Sequence, residues 1–432
     1  MNKPVLFLLG LLFVVSCTEQ NDEPTHQAKQ PEVQYNSLTR TPQEAQNEVA
    51  DFLAAMGKKT RSATRHTIAN VETLRSRQFA TRAAVDSLSI DTLLYFVNFA
   101  DNQGFAIVAA DKRTSPILAL IDKGNYSPHD LKREKNTGFL NFLNQVLTIE
   151  NENAKHPYTP EVKTRSFQYL GWKISEFFPS LLKVNWGQYD PYYIFCPSYN
   201  DASHAPTGCT VTAVAQICSY YKVPKELSWD SYGTWVHWTY DWDRIISDCK
   251  ANSGQIIFDE QHNRKYVLTA GEVASLMNYL GIAFKAKYGY ETGVPPETPI
   301  KWLRKSGWVN ATKLEDYKEQ RIFSAIKNKF IVYARGNDKK TKTWIFFNKY
   351  EGGHAWVIDG YIRGEKDNRT YNLLHCNWGW NGRCNGFFYS KGFDSQHPAL
   401  EDSVKIGKDI RGNVPYYFKH NLEYSIISPI HS

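Results

Sequence analysis

Two periodicities organise the apolar positions of this chain. The first is helical. Ala45, Val49, Phe52, Leu53 and Met56 fall on one face of a segment opening with Thr41-Pro42-Gln43-Glu44. That opening is a capping box with proline at the first helical position, and it predicts a helix from Thr41. Phe139, Leu143, Val146 and Leu147 mark a second helix, and Val211, Val214, Ala215 and Cys218 a third. Val273, Leu276, Met277 and Leu280 mark a fourth, over 271–281, and residues 316–327 read as a fifth. The second period is that of strands. The runs 93–99 and 105–110 flank the turn sequence Asp101-Asn102-Gln103-Gly104, and the run 116–121 follows. Further on, residues 330–334, 343–347, 354–358, 371–376 and 387–389 read as strands. In this second half helices come first and strands later, which predicts an α+β fold with an antiparallel sheet.

Polar, proline-bearing stretches divide the chain. Met1 to Cys17 holds Lys3 and then an apolar run from Val5 to Val15, broken only by Gly10. It reads as an export signal, too short to span a membrane as a helix. Thr18 to Gln34, with Pro24 and Pro31, reads as a flexible tether. Asn151 to Thr164 carries Pro157 and Pro160 and ends in Lys163-Thr164-Arg165, the character of a linker open to proteolysis. The expected division is a signal peptide at 1–17, a tether at 18–35, a small α+β unit at 36–155, a linker with a cleavage site at 156–170, and a larger domain at 171–432.

Composition narrows the class. Charged residues at 22% and hydrophobic ones at 42% suit a globular protein. Aromatics reach 14% and concentrate after residue 168, which predicts a dense C-terminal domain with aromatic-lined grooves. The net charge of +7 is spread along the chain without a basic run, so no nucleic-acid partner is expected. Neither an HExxH pair nor a GxxxxGK loop occurs, and no cofactor or metal is expected. Of the seven cysteines, Cys17 belongs to the leader. Cys196, Cys209, Cys218, Cys249, Cys376 and Cys384 allow three bridges, or at most two if one thiol is catalytic. The short loop from Cys376 to Cys384 is one that a bridge could close.

One cysteine stands apart. Cys209 follows Gly208 and opens the third helix, whose dipole favours a thiolate at its N-terminus. Cys218 lies in the apolar stripe and reads as a small hydrophobe. A cysteine nucleophile needs a histidine, which in papain-like enzymes lies about 130–150 residues downstream. Here EGGHAWVIDGY places His354 145 residues on, and LLHCNWGWNG places Asn377 a further 23 residues on. Upstream, VNWGQYDPYY carries Gln188. The group that orients the histidine is either Asp359 or Asn377. Strand alternation puts Asp359 on the face opposite His354, where it reads as a turn residue before Gly360.

These segments, in this order, resemble the streptopain family of papain-like cysteine peptidases: WGQ, GC opening a helix, GHA on a strand, and NWGW. The stretch GFAIVAADKRTSPILAL resembles the Spi-type pro-domain of such zymogens. The resemblance implies a papain-like catalytic domain, helical first and then an antiparallel sheet, preceded by an inhibitory α+β pro-domain. It implies that Cys209 is the nucleophile, His354 its proton carrier and Asn377 the orienting group under the cover of Trp378. Gln188 is implied as an oxyanion donor, and Gly353 as backbone along which a substrate strand lies. Tyr288 to Pro296 resembles the family's cleft loop. The implied partners are protein or peptide substrates and the chain's own pro-domain. Val14-Val15-Ser16-Cys17 resembles a lipobox, implying an exported lipoprotein at the outer membrane or cell surface, anchored by lipid on Cys17 and with release of the mature domain. Glu19, Asp22 and Glu23 resemble acidic surface-export signals. Thr210 departs from the apolar residue common after the nucleophile, and residues 339–350 look distinct. Competing readings are a papain-like cell-wall amidase, whose histidine follows at shorter spacing, and an inactive binding or inhibitor lipoprotein, against which the intact Cys209, His354, Asn377 and Gln188 argue.

Overall fold

The computed structural model describes residues 38–60, 66–76, 91–155, 171–200, 203–251, 258–259, 265–266, 268–344, 347–367, 369–393 and 420–430. The export signal with Cys17, the tether, and the linker with Lys163 and Arg165 lie outside the described residues.

The capping box forms as the sequence predicts. Helix α1 (Pro42–Thr60) has the Glu44 amide donating to the Thr41 hydroxyl at 3.2 Å, and Glu44 Oε2 accepting the Thr41 amide at 2.7 Å. Four strands follow, β1 (Ile68–Arg75), β2 (Thr92–Phe99), β3 (Phe105–Ala109) and β4 (Ile117–Ile121). They form a meander in which each strand pairs antiparallel with the next. Residues of β2 alternate across the sheet. Tyr95, Val97 and Phe99 pack under α1, while Leu94 and Phe96 face the core beneath helix α2 (Thr137–Lys155).

The second half begins with β5 (Lys173–Phe178) and then turns helical, through α3 (Cys209–Tyr221), α4 (Trp242–Ala251), α5 (Leu268–Ala283), α6 (Thr298–Ser306) and α7 (Glu319–Lys327). A hairpin, β6 (Glu226–Ser231) with β7 (Thr234–Thr239), lies between α3 and α4. The chain then crosses into the sheet as β8 (Ile331–Trp344), β9 (Phe347–Lys366), β10 (Arg369–Asn377), β11 (Gly386–Tyr389) and β12 (His420–Ser428). Over their described residues, the expected runs at 330–334 and 343–347 fall on β8 and the start of β9, which pair with each other. The fifth helix starts at Glu319, later than expected, because Glu315–Asp316 pairs with β12 and Lys318 is extended.

A single sheet runs through both halves in the order β1-β2-β3-β4-β11-β10-β9-β8-β12, with β5 beside β9. The junction is β4 against β11, where Ile121 faces Gly386, Leu120 faces Phe387 and Ala119 faces Phe388. Residues 37–432 are accordingly one compact unit. Under the junction, Phe139, Phe142 and Leu143 of α2 share a core with Trp356, Trp378, Phe388 and Phe393. A separate core joins Val211, Val214 and Ile217 of α3 to Leu276, Met277 and Leu280 of α5. The α+β class and the antiparallel sheet agree with expectation. No bridge forms among the described cysteines: Cys376 and Cys384 are free thiols, as are Cys196, Cys209, Cys218 and Cys249. Among the described residues, no helix is long and apolar enough to cross a membrane.

Candidate active site

Gly208 adopts φ +88° and caps α3. A Cβ there would come within 2.9 Å of the Thr292 carbonyl, so glycine is what lets the 288–296 loop approach the nucleophile. Cys209 follows as the first residue of the helix, partly exposed, while Val211, Val214 and Cys218 face the core. Its Sγ accepts a hydrogen bond from the Ala355 amide at 3.4 Å, so the thiol lies against β9 one residue beyond His354.

The His354 ring does not meet that thiol. It is buried, with Nε2 2.9 Å from the Trp378 carbonyl and Nδ1 3.3 Å from the Thr137 hydroxyl. A carbonyl only accepts, so Nε2 carries the proton and Nδ1 accepts from Thr137. Burial drives the pKa of His354 down to about 4, against the opposing pull of the Trp378 carbonyl, and the ring is neutral at physiological pH. Thr137 and Gly138 open α2. A Cβ at Gly138 would lie 2.3 Å from Trp378 and 2.7 Å from His354, so a glycine is needed for α2 to press against both rings. Without an imidazolium beside it, the Cys209 thiol is pushed above its ordinary range by burial, only partly offset by hydrogen bonds from the Ala355 amide and the Thr210 hydroxyl.

Asn377, at the end of β10, donates through Nδ2 to the Val184 carbonyl at 3.0 Å and to Asn185 Oδ1 at 3.2 Å, and accepts from the Gly379 amide at 3.2 Å. It does not orient His354 in this arrangement. Trp378 is fully buried, 6.1 Å from the His354 ring and 5.2 Å from Trp356. Gln188 is almost buried at the end of the Trp186–Gln188 segment. That segment is pinned to α3 and the turn before it, since the Trp186 amide donates to Gln216 Oε1 at 3.0 Å and the Thr207 amide to the Gln188 carbonyl at 2.9 Å. Gly353 is exposed on β9 beside His354, facing Asn337 across the hairpin.

Asp359 is not the turn residue expected from its sequence. It lies within β9, fully buried, and its carboxylate holds His375, Ser180 and Leu182. It sits where the β9–β10 register shifts, between Ile358 and Gly360. No local pattern in the sequence signals the contacts of Thr137 and Gly138 with His354, which lies 217 positions beyond Thr137.

Residues 186–388 match the Peptidase C10 family, and residues 36–147 match the Spi protease inhibitor family. The streptopain of Streptococcus pyogenes is 24% identical over 323 residues, which cover 68% of this chain and 73% of that protein. The thiol protease/hemagglutinin PrtT of Porphyromonas gingivalis is 23% identical over 328 residues, covering 69% of this chain but 34% of that protein. Among solved structures, a fragment of Prevotella intermedia prointerpain A aligns with a TM-score of 0.49 at 20% identity, covering 84% of this chain and 99% of the fragment. Residues 186–388 are therefore a peptidase C10 (streptopain family) domain, and residues 36–147 a Spi protease inhibitor domain ahead of it.

Proposed function

We propose that the chain is an exported cysteine endopeptidase made as a latent zymogen, with Cys209 as nucleophile and His354 as proton carrier. The observation that carries this reading is the placement of His354. It lies one residue from the backbone amide that touches the Cys209 thiol, yet its ring is held by Thr137 of the N-terminal unit. Once that unit leaves, rotation of the ring toward Cys209 allows a thiolate–imidazolium pair, and such pairing lowers a cysteine pKa to about 3–4 in papain. Sγ then attacks the peptide carbonyl, and the imidazolium protonates the departing amine. A thioester acyl-enzyme remains. Water, deprotonated by His354, attacks this thioester, releasing the acid and regenerating the thiol. Asn377 orients the ring, Trp378 keeps water from their hydrogen bond, and the substrate strand lies along Gly353.

The oxyanion is held by the Gln188 side-chain amide and the Cys209 amide. Gln188→Ala is therefore expected to lower turnover of the processed enzyme by about 10²–10³ while leaving a measurable remainder, since one donor persists. A kcat within a factor of two of wild type would remove Gln188 from the site. The reading as a whole is tested by titrating the processed enzyme with an epoxide thiol inhibitor and mapping the modified peptide. One equivalent on Cys209, with complete loss of peptide hydrolysis, is the expected result; inactivation with the label on another cysteine overturns it.

The proposal extends to location. Lipid on Cys17 would tether the full-length chain to a membrane, and cleavage in 156–170 would free the peptidase domain. Metabolic labelling with a fatty acid is expected to mark the full-length protein and not its Cys17→Ala variant. Full-length protein without label would refute the anchor.

A further inference from the structure

His375 lies on β10 with 3% of its surface exposed, its ring edge-on to Phe387 at 4.9 Å and its Cβ against Gly360. Nδ1 is 2.6 Å from Asp359 Oδ1, and Nε2 is 3.0 Å from Asp122 Oδ2. Both neighbours are carboxylates, so both ring nitrogens donate and the ring is an imidazolium. Burial pulls its pKa down, but the fields of Asp359 and Asp122 outweigh burial and raise it to about 10. The two carboxylates come from different halves of the chain. Asp359 belongs to β9, and its Oδ2 takes the Ser180 hydroxyl at 2.6 Å and the Leu182 amide at 2.8 Å. Asp122 directly follows β4 of the N-terminal unit, and its amide donates to the Asn385 carbonyl at 3.0 Å.

The β4–β11 junction has only three facing pairs. Backbone pairing of that length does not specify register, and a slip of one residue would turn every side chain of β4 to the wrong face. Gly386 makes the junction close, since a Cβ there would sit 2.3 Å from the Leu120 carbonyl. A charge at the end of the strand adds a register signal to the one carried by the buried faces of β4 and β11. The Asp122 side chain is 43% exposed, but removing its carboxylate takes from the buried His375 imidazolium one of its two charged partners and leaves only Asp359.

We infer that His375 is a residue by which the peptidase domain recognises its N-terminal unit, beside the Arg383–Glu134 and Lys366–Glu48 pairs that also join the two halves. It is a buried imidazolium, anchored by Asp359, that binds the Asp122 carboxylate and sets the register of β4 on the edge of β11. The site thus selects an extended strand that carries a carboxylate one residue after its last pair. This rests on the reading of the N-terminal unit as a removable inhibitor.

The test uses the full-length chain carrying Cys209→Ala, with Asp122→Asn or Asp122→Ala added, and follows amide hydrogen exchange. Exchange at Asp122 or its replacement and at the β4–β11 pairs is expected to quicken by about 10-fold or more in both variants. Amides of β2–β3 should stay within about twofold. Unchanged exchange at the junction in both variants overturns the inference. So does equal loss of protection in β2–β3, which would make Asp122 only a support for the N-terminal unit's own fold. Latency is read separately, from the activity of unprocessed wild type. An active unprocessed chain whose junction still responds to Asp122→Asn would refute latency and leave the recognition site standing.

Discussion

Replacing Cys209 with alanine is expected to lower peptide hydrolysis by the processed enzyme by a factor on the order of 10⁵–10⁶, without loss of the folded structure. The side chain contributes chemistry and little packing. Its sulfur accepts one hydrogen bond at 3.4 Å from the Ala355 amide, while α3 is held in its core by Val211, Val214, Ile217 and Cys218. His354→Ala should match the loss, and the double variant should be no worse than either, because members of one nucleophilic unit are strongly non-additive. Cys218→Ala is the contrast. That residue is buried in the helical core, so its replacement should lower thermal stability and leave kcat nearly intact. An equal loss of activity in Cys218→Ala, at undiminished stability, would move the nucleophile away from Cys209.

Before processing, full-length wild type is expected to cleave peptide substrates at least about 10³-fold more slowly than the mature enzyme, since displacing a catalytic group by even 1 Å costs about 10². The cause is specific. His354 is neutral, bonded to the Trp378 carbonyl and Thr137, and covered by the start of α2 at Gly138. On incubation with reductant the wild-type chain should lose roughly its first third, consistent with a linker open to nicking, whereas Cys209→Ala should stay full length. Gly138→Val should shorten the lag before processing, because the added side chain collides with His354 and Trp378. A full-length chain as fast as the mature enzyme would end the zymogen reading.

The latched state should also respond to pH, through two histidines of opposite sign. In Cys209→Ala, where no thiolate can pair with the freed ring, His354 has its pKa lowered to about 4 while latched, against an ordinary value of 6.5 when freed. The freed state therefore gains by taking up a proton as pH falls below 6.5, and the gain saturates near 4, reaching on the order of 3 kcal/mol. His375, raised to about 10, is charged throughout that window and does not oppose the change. Its own contribution is fully present below 6.5 and fades as pH rises toward 10. Exchange at the Thr137 and Gly138 amides of full-length Cys209→Ala, corrected for intrinsic rates, should lose protection between pH 7 and 5. Protection independent of pH would remove His354 from the latch.

Much of this could be read along the chain, because local chemistry decides it. The capping box at Thr41–Glu44, the turn after Phe99, the helix opening at Cys209 and the Cys209–His354 spacing each depend on residues whose order alone carries the signal. Only the tertiary structure decided three other things. It put β4 beside β11, so the N-terminal unit extends the peptidase sheet; a strand's periodicity states which face is buried and not which strand lies alongside. It left Cys376 and Cys384 as free thiols, although their spacing in sequence permits a bridge. It also turned Asp359 from an apparent turn residue into the anchor of a buried imidazolium, and gave His354 to Thr137 instead of Cys209. These last placements join residues far apart in the chain, and their energies come from desolvation and charge, which exist only once the surrounding protein has closed around them.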